Sequence, residues 1–109
     1  MYQIDFQHPI HIYFVGIGGI SMSGLAEVLR EEGFRVSGSD KQKSPLTEML
    51  ESKGIRIFYG QEKSNITPDI DCAVFTSAIH PDNPEYVAVH ELGVPALSRA
   101  ELLGQMMRN

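Results

Sequence analysis

The part of this sequence best suited to chemistry is the glycine-rich turn Gly16-Ile17-Gly18-Gly19. It follows a short apolar run, His11–Val15, and precedes a segment whose apolar residues recur at helical spacing, which indicates a strand, a tight turn and a helix. Glycine lets the backbone approach an anion, and the start of the next helix offers free N–H groups and a positive dipole end. The turn therefore predicts a site for the diphosphate of a nucleotide-type ligand. The residues predicted to form it are Gly16, Gly18, Gly19, Ile20, Ser21 and Met22.

Polar residues follow three of the other predicted strands. Asp40 ends the second strand about 20 residues after Gly18, where an acidic side chain can bond ribose hydroxyls, and Ser39 is expected to assist it. Three small or apolar residues after the fourth strand leave room for a ligand, and the serine among them can donate to a phosphate oxygen; they are Ser77, Ala78 and Ile79. Arg99, after the fifth strand, is a candidate partner for the diphosphate. For each of these residues an ordinary turn or solvated role stays open.

Ser21 bears on which nucleotide the turn accepts. The dinucleotide-binding pattern Gly-x-Gly-x-x-Gly would have its third glycine at position 21, so the serine there argues against NAD. An NAD-dependent oxidoreductase domain nevertheless remains an alternative, since Gly16, Gly18 and Asp40 fit it. A non-catalytic regulatory domain that senses a nucleotide is a second alternative, which the size of the chain permits.

Several other chemistries lack their residues. The sequence contains no Gly-Lys pair, so it has no Walker A loop for ATP. Its four histidines do not have metal-ligand spacing, and its single cysteine, Cys72, lies in an apolar strand. No nucleophile-and-base constellation can be assigned. We therefore predict no catalytic residue, metal or cofactor in this chain alone.

Composition limits the partners and the compartment. The chain has 109 residues, 9 Lys+Arg against 14 Asp+Glu, and a net charge of -5. Nucleic acid and anionic membranes need a cationic surface, so neither is an expected partner. A lone cysteine, no apolar run of transmembrane length and no leader-type N-terminus favour a cytoplasmic protein.

Five short strands alternate with helices along the chain, in the segments 11–15, 34–38, 55–59, 70–76 and 94–97. This alternation predicts a single α/β domain with a Rossmann-like, doubly wound and mainly parallel five-stranded sheet over residues 1–109. Ligands of such sheets lie at the carboxyl ends of the strands, where the strand order reverses. The last helix opens with the capping-box pattern Ser98-Arg99-Ala100-Glu101 and ends without a cap at Asn109. This favours a chain cut from a longer protein, with a frayed native end as the alternative.

Several ordered motifs resemble the Mur ligases of peptidoglycan synthesis. They are Phe14-Val15-Gly16-Ile17-Gly18-Gly19, Met22-Ser23-Gly24-Leu25-Ala26-Glu27, Ser37-Gly38-Ser39-Asp40, Ser77-Ala78-Ile79, Asn83-Pro84-Glu85 and Arg99-Ala100-Glu101. The resemblance runs from about His11 to Asn109. It implies the first of three domains, which binds the UDP part of UDP-N-acetylmuramic acid in an enzyme that attaches L-alanine.

The resemblance also implies what lies elsewhere in such a protein. ATP and magnesium would be used by central and C-terminal domains that follow Asn109, and these domains would be the partners of this one. The family usually has glycine at position 21 and often histidine at position 61, where this sequence has Ser21 and Gln61. If that histidine contacts the base, Gln61 must substitute through its amide.

Overall fold

A five-stranded, all-parallel sheet forms the centre of the protein, in the strand order β3-β2-β1-β4-β5. The structure is a computed structural model and describes residues 1–109. The strands are β1 (His11–Val15), β2 (Arg35–Asp40), β3 (Arg56–Tyr59), β4 (Cys72–Phe75) and β5 (Ala96–Ser98). The order reverses between β1 and β4, so the sheet is doubly wound and the predicted fold class is confirmed.

Four α-helices connect these strands, and local signals explain where they begin. The helices are α1 (Ile20–Glu31), α2 (Pro45–Ser52), α3 (Pro84–Leu92) and α4 (Arg99–Met107). Ser44 caps α2 and Asn83 caps α3, each followed by a proline in the first helical position, where the missing N–H is not needed. Ser98 and Glu101 form the predicted capping box of α4.

Element boundaries differ slightly from those predicted. Helix α1 begins at Ile20 rather than at Ser21 or Met22, and β2 extends to Asp40. Strand β5 starts after Pro95 and lies at the edge of the sheet, as its proline predicted. A short 3-10 helix, Lys63–Asn65, was not predicted because three residues carry no periodicity.

The two faces of the sheet carry separate cores. Ile12 and Phe14 of β1 face α1, α2 and α4, whereas Tyr13 and Val15 face α3 and the segment after the 3-10 helix. This alternation follows from the twofold period of a strand. All of β1 is buried, which explains its continuous apolar sequence. None of the helices combines the length and hydrophobicity needed to cross a lipid bilayer.

The first residues of the chain pack against its last helix. The Ile4 N–H donates to Oε1 of Gln105 at 2.9 Å, and Nε2 of Gln105 donates to the Tyr2 carbonyl at 2.7 Å. The rings of Phe6 and Phe34 meet edge-to-face, with centroids 5.8 Å apart. We call these two hydrogen bonds, one accepted and one donated by the Gln105 side chain, the terminal clasp. Sequence analysis assigned no element before His11, so this contact is an addition.

Candidate functional site

The glycine-rich turn is held by the end of β2. The N–H groups of Gly16 and Ile17 both donate to the Ser39 carbonyl, at 2.9 and 2.8 Å. Gly16 has a φ of +82°, in the left-handed region that favours glycine. These bonds and this backbone angle define the shape of the turn.

Three backbone donors at the start of α1 have no partner within the protein. The N-cap residue, Gly19, has no side chain to cap the helix, and the first turn contains no acidic residue. The first intrahelical donor is Ser23, which bonds the Gly19 carbonyl at 2.8 Å. The N–H groups of Ile20, Ser21 and Met22 are therefore free at the positive end of the helix dipole. This arrangement can bind an anion without a basic side chain, which suits an acidic chain.

The carboxylate of Asp40 reaches the same turn. Its Oδ2 accepts from the Gly18 N–H at 2.8 Å, and its Oδ1 accepts from the Lys41 N–H at 2.8 Å. One donor predicted for the diphosphate is therefore bonded to Asp40. Each carboxylate oxygen keeps a further lone pair, so a ribose hydroxyl can still donate to Asp40.

The hydroxyl of Ser39 lies in the interior of the domain. Its side chain is fully buried, and its Oγ donates to Oε1 of Glu85 at 2.5 Å. The hydroxyl therefore faces the α3 side of the sheet in this arrangement, and its predicted contact with a ribose stays a prediction. Ser39 supports the site through its carbonyl.

An open cleft of about 410 Å³ lies beyond the carboxyl ends of β2, β3 and β4. Lys41 and Gln61 line one part of it, and Ala78 and Ile79 another. Oε1 of Gln61 accepts from Nδ2 of Asn83 at 2.7 Å, which leaves the Gln61 amide N–H groups for other partners. The cleft is thus lined by two predicted site residues, Ala78 and Ile79, together with the cationic side chain of Lys41 and the amide of Gln61. The remaining lining residues are His80, Asp82, Asn83 and Pro84, none of which was predicted as a site residue.

Of the predicted site residues only Ala78 and Ile79 line this cleft, and Ser77 and Arg99 belong neither to the cleft nor to the glycine turn. Ser77 is exposed and lines a shallow depression with Ser98 on the β5 side. Arg99 is half-buried at the start of α4 and takes part in none of the ion pairs of the chain. Their contact with a ligand stays a prediction.

A larger cavity of about 540 Å³ lies towards the amino ends of β1, β2 and β3. Its polar groups are largely bonded to each other: His11 Nε2 lies 2.6 Å from Ser37 Oγ, and Arg35 pairs with Asp69 at 2.8 Å. We favour the smaller cleft as the site despite its size, because ligands of doubly wound sheets bind at the carboxyl ends.

Sequence reasoning missed a buried polar cluster behind the turn. The carboxylate of Glu85 accepts from the Tyr13 hydroxyl at 2.8 Å, from Ser39, and from Nδ2 of Asn65 at 2.7 Å. Burial raises the pKa of the Glu85 carboxyl, while these three donors act in the opposite direction. The only sequence signal was Glu85 in the motif Asn83-Pro84-Glu85, where an acidic residue in a first helical turn is commonplace.

These features define the class of the protein: a Rossmann-like domain with a glycine-rich turn and an uncapped helix N-terminus at the switch point of its sheet. The family model described as "Mur ligase family, catalytic domain" matches residues 11–109. The chain therefore belongs to the Mur ligase family, as its motifs predicted.

Individual relatives agree with this assignment. The chain is 62% identical over 109 residues to a UDP-N-acetylmuramate--L-alanine ligase of Agathobacter rectalis, covering all of this chain and 24% of the relative. The solved UDP-N-acetylmuramate-alanine ligase of Thermotoga maritima matches with a TM-score of 0.86 at 33% identity, over 91% of this chain and 23% of that one. A UDP-N-acetylmuramate:L-alanyl-gamma-D-glutamyl-meso-diaminopimelate ligase of Neisseria meningitides matches with a TM-score of 0.83 at 31% identity, over 90% of this chain and 31% of that one. The chain thus spans about a quarter of the length of the curated relatives it matches.

Proposed function

We propose that residues 1–109 form the N-terminal domain that binds the UDP part of UDP-N-acetylmuramic acid in a UDP-N-acetylmuramate:L-alanine ligase. The observation that carries this proposal is the set of three free N–H groups, from Ile20, Ser21 and Met22, next to Asp40 at the switch point. The names of the relatives supply the substrate, most directly that of the ligase with 62% identity. The backbone donors match a diphosphate, and the carboxylate matches a ribose.

The parts of the site would divide the nucleotide between them. The helix N-terminus would hold the diphosphate, with the glycine turn shaping the approach and Asp40 accepting from the ribose. Lys41 would add positive charge at the mouth of the cleft, where Ala78 and Ile79 form an apolar wall. Ser77 and Arg99 would complete the pocket on the β5 side.

The ATP and magnesium of the full enzyme do not fit this chain. It has no Gly-Lys pair for a phosphate loop and no group of three acidic, histidine or cysteine residues that could hold a metal ion. We propose that these groups are held by central and C-terminal domains, the partners of this domain in the longer relatives. The chain alone is then expected to bind the substrate without converting it.

Direct titration tests the proposal. UDP-N-acetylmuramic acid, and UDP more weakly, should bind the chain saturably by calorimetry and shift the amide resonances at the start of α1. NAD should produce neither effect. Saturable binding of NAD without a response to UDP would overturn the proposal in favour of an oxidoreductase domain.

A single substitution can isolate one of the three donors. Ile20→Pro deletes one N–H, and the first helical position tolerates proline. The preceding residue, Gly19, already has the extended φ of -64° and ψ of 148° that proline requires before it. Ile20→Ala is the matched control, since it removes the exposed side chain and keeps the N–H.

Loss of one hydrogen bond to a charged group should weaken UDP binding at least about tenfold in Ile20→Pro. Ile20→Ala should bind like the wild type. Equal affinities for the two variants would show that the α1 N–H groups do not hold the diphosphate.

A further inference from the structure

Glu85 lies at the centre of a buried hydrogen-bond network that none of the predicted site residues explains. The side chain is fully buried, and its carboxylate accepts from three elements: Tyr13 of β1, Ser39 of β2 and Asn65 of the 3-10 helix. A carboxylate suits this position because it accepts every one of these bonds and has no donor of its own to satisfy. We call these four residues the Glu85 network.

The network reaches the glycine turn through Ser39. The hydroxyl of Ser39 is fixed by Glu85, and the carbonyl of the same residue accepts from the N–H groups of Gly16 and Ile17. A change in the backbone conformation of Ser39 would therefore move its carbonyl and, with it, the glycine turn. Ser39 is thus the single residue that connects the Glu85 side chain to the glycine turn.

The network also reaches Asp40, by way of the loop after β3. Nδ2 of Asn65 donates to the Gly60 carbonyl at 3.0 Å as well as to Glu85, and the Gly60 N–H donates to the Asp40 carbonyl at 2.8 Å. The side chain of Asp40 then bonds Gly18. These bonds close a ring that runs from the glycine turn through β2, the β3 loop and Glu85 back to the turn.

The same residue is joined to the wall of the cleft. Oδ1 of Asn83 accepts from the Glu85 N–H at 2.9 Å, which caps α3. Nδ2 of Asn83 bonds Gln61, which lines the cleft with Lys41. Displacing the start of α3 would thus disturb the nucleotide cleft as well as the ring.

We propose that Glu85 is a positioning residue for the nucleotide site, which holds the glycine turn, Asp40 and the β3 loop in one arrangement while remaining out of contact with the ligand. This inference rests on the proposed function. Three side chains from three elements converge on Glu85, so its removal would leave buried donors without acceptors. The loss should appear in ligand affinity as well as in stability.

Two substitutions of different severity test the role. Glu85→Gln keeps the shape but offers one acceptor oxygen where the carboxylate has two, so binding of UDP-N-acetylmuramic acid should weaken about threefold. Glu85→Ala removes the acceptors, and binding should weaken about tenfold, equivalent to about 1.4 kcal/mol. The ligand-free amide resonances of Gly16, Ile17 and Gly60 should shift in both variants.

Gln105→Ala is the control for a loss of stability alone. Gln105 is buried and makes two hydrogen bonds, but they lie in the terminal clasp and join no part of the ring. This variant should lose stability and keep the affinity of the wild type within about twofold. Denaturant unfolding of each variant supplies the stability change for comparison.

The outcomes separate the two proposals. If the wild type binds UDP-N-acetylmuramic acid and both Glu85 variants bind it with the affinity of the wild type, the positioning role is wrong while the proposed function stands. If Gln105→Ala weakens ligand binding as much as the Glu85 variants do, the positioning role is also wrong, because a general loss of stability would then explain the weaker binding. A wild type that does not bind UDP-N-acetylmuramic acid overturns the proposed function and this inference with it. Should Glu85→Ala fail to fold, Glu85→Gln decides alone.

Discussion

The contact between Gly18 and Asp40 gives a sharp prediction about the glycine turn. A Cβ at position 18 would lie 2.6 Å from Oδ2 of Asp40 and 3.0 Å from Cγ2 of Thr47. Gly18 does not have a positive φ, so alanine there is free of backbone strain. The effect of Gly18→Ala should therefore come from two collisions, with Asp40 as the closer one and with Thr47 as the second.

The size of the effect follows from the bond that must break. Asp40 has to move, and the loss of its bond to the Gly18 N–H should destabilise the fold by about 1.5–3 kcal/mol. Replacing glycine by alanine also lowers the conformational entropy of the unfolded chain, which stabilises the fold by about 0.4–1 kcal/mol. The net loss should be about 0.5–2.5 kcal/mol, and each kcal/mol should lower Tm by roughly 4 °C for a domain of this size.

A double-mutant cycle, measured by urea unfolding, tests the cause. In an Asp40→Ala background only the contact with Thr47 remains, so Gly18→Ala should cost at least about 1 kcal/mol less than it does in the wild type. Gly24→Ala is the control, since nothing lies within 4 Å of its Cβ position and alanine inside a helix should stabilise by about 1 kcal/mol. If Gly18→Ala costs the same with and without Asp40, the turn does not depend on this contact and the argument fails.

Two further predictions concern buried groups. Burial lowers the pKa of His11 below its usual 6.5, with a smaller contribution from Arg35, so the unfolded chain takes up a proton first as the pH falls. Stability should decline below about pH 6.5, and urea unfolding of His11→Gln at about pH 5 and about pH 7 should show a smaller decline; an unchanged decline would exclude His11 as its source. Burial raises the pKa of the Cys72 thiol to about 12, and the side chain is fully buried. A thiol reagent at about pH 8 should thus leave the native chain unlabelled and modify it fully in denaturant, and rapid labelling of the native chain would contradict the buried position.

Much of the fold could be predicted because its signals are local. Ser44 and Ser98 cap helices through residues within one turn, and the apolar run of β1 marks a central strand without any other information. The terminal clasp could not be predicted in this way, because Ile4 and Gln105 are 101 residues apart and neither carries a pattern. The same limit hid the 3-10 helix, which is too short to show periodicity.

In the candidate site, too, features that depend on local sequence could be predicted, whereas contacts between distant residues could not. The glycine turn and Asp40 follow from a spacing that can be seen in the sequence, and the structure places them in contact. Strand alternation puts adjacent residues on opposite faces of the sheet, so Asp40 contacts the turn whereas the Ser39 hydroxyl contacts Glu85. The Glu85 network joins residues from positions 13, 39, 65 and 85, and only the folded chain brings such distant positions together.

The terminal clasp has a consequence for the order in which the domain folds. It joins residues more than a hundred positions apart, so it closes the longest loop in the molecule, and loop closure must be offset by contacts that already exist. The hairpin-free, parallel sheet between the two ends has to assemble before Gln105 can meet Tyr2 and Ile4. We therefore expect the clasp to form late in folding and to open early in unfolding. Hydrogen exchange of the Ile4 amide would then proceed through local opening and be faster than exchange of the amides in the central strands.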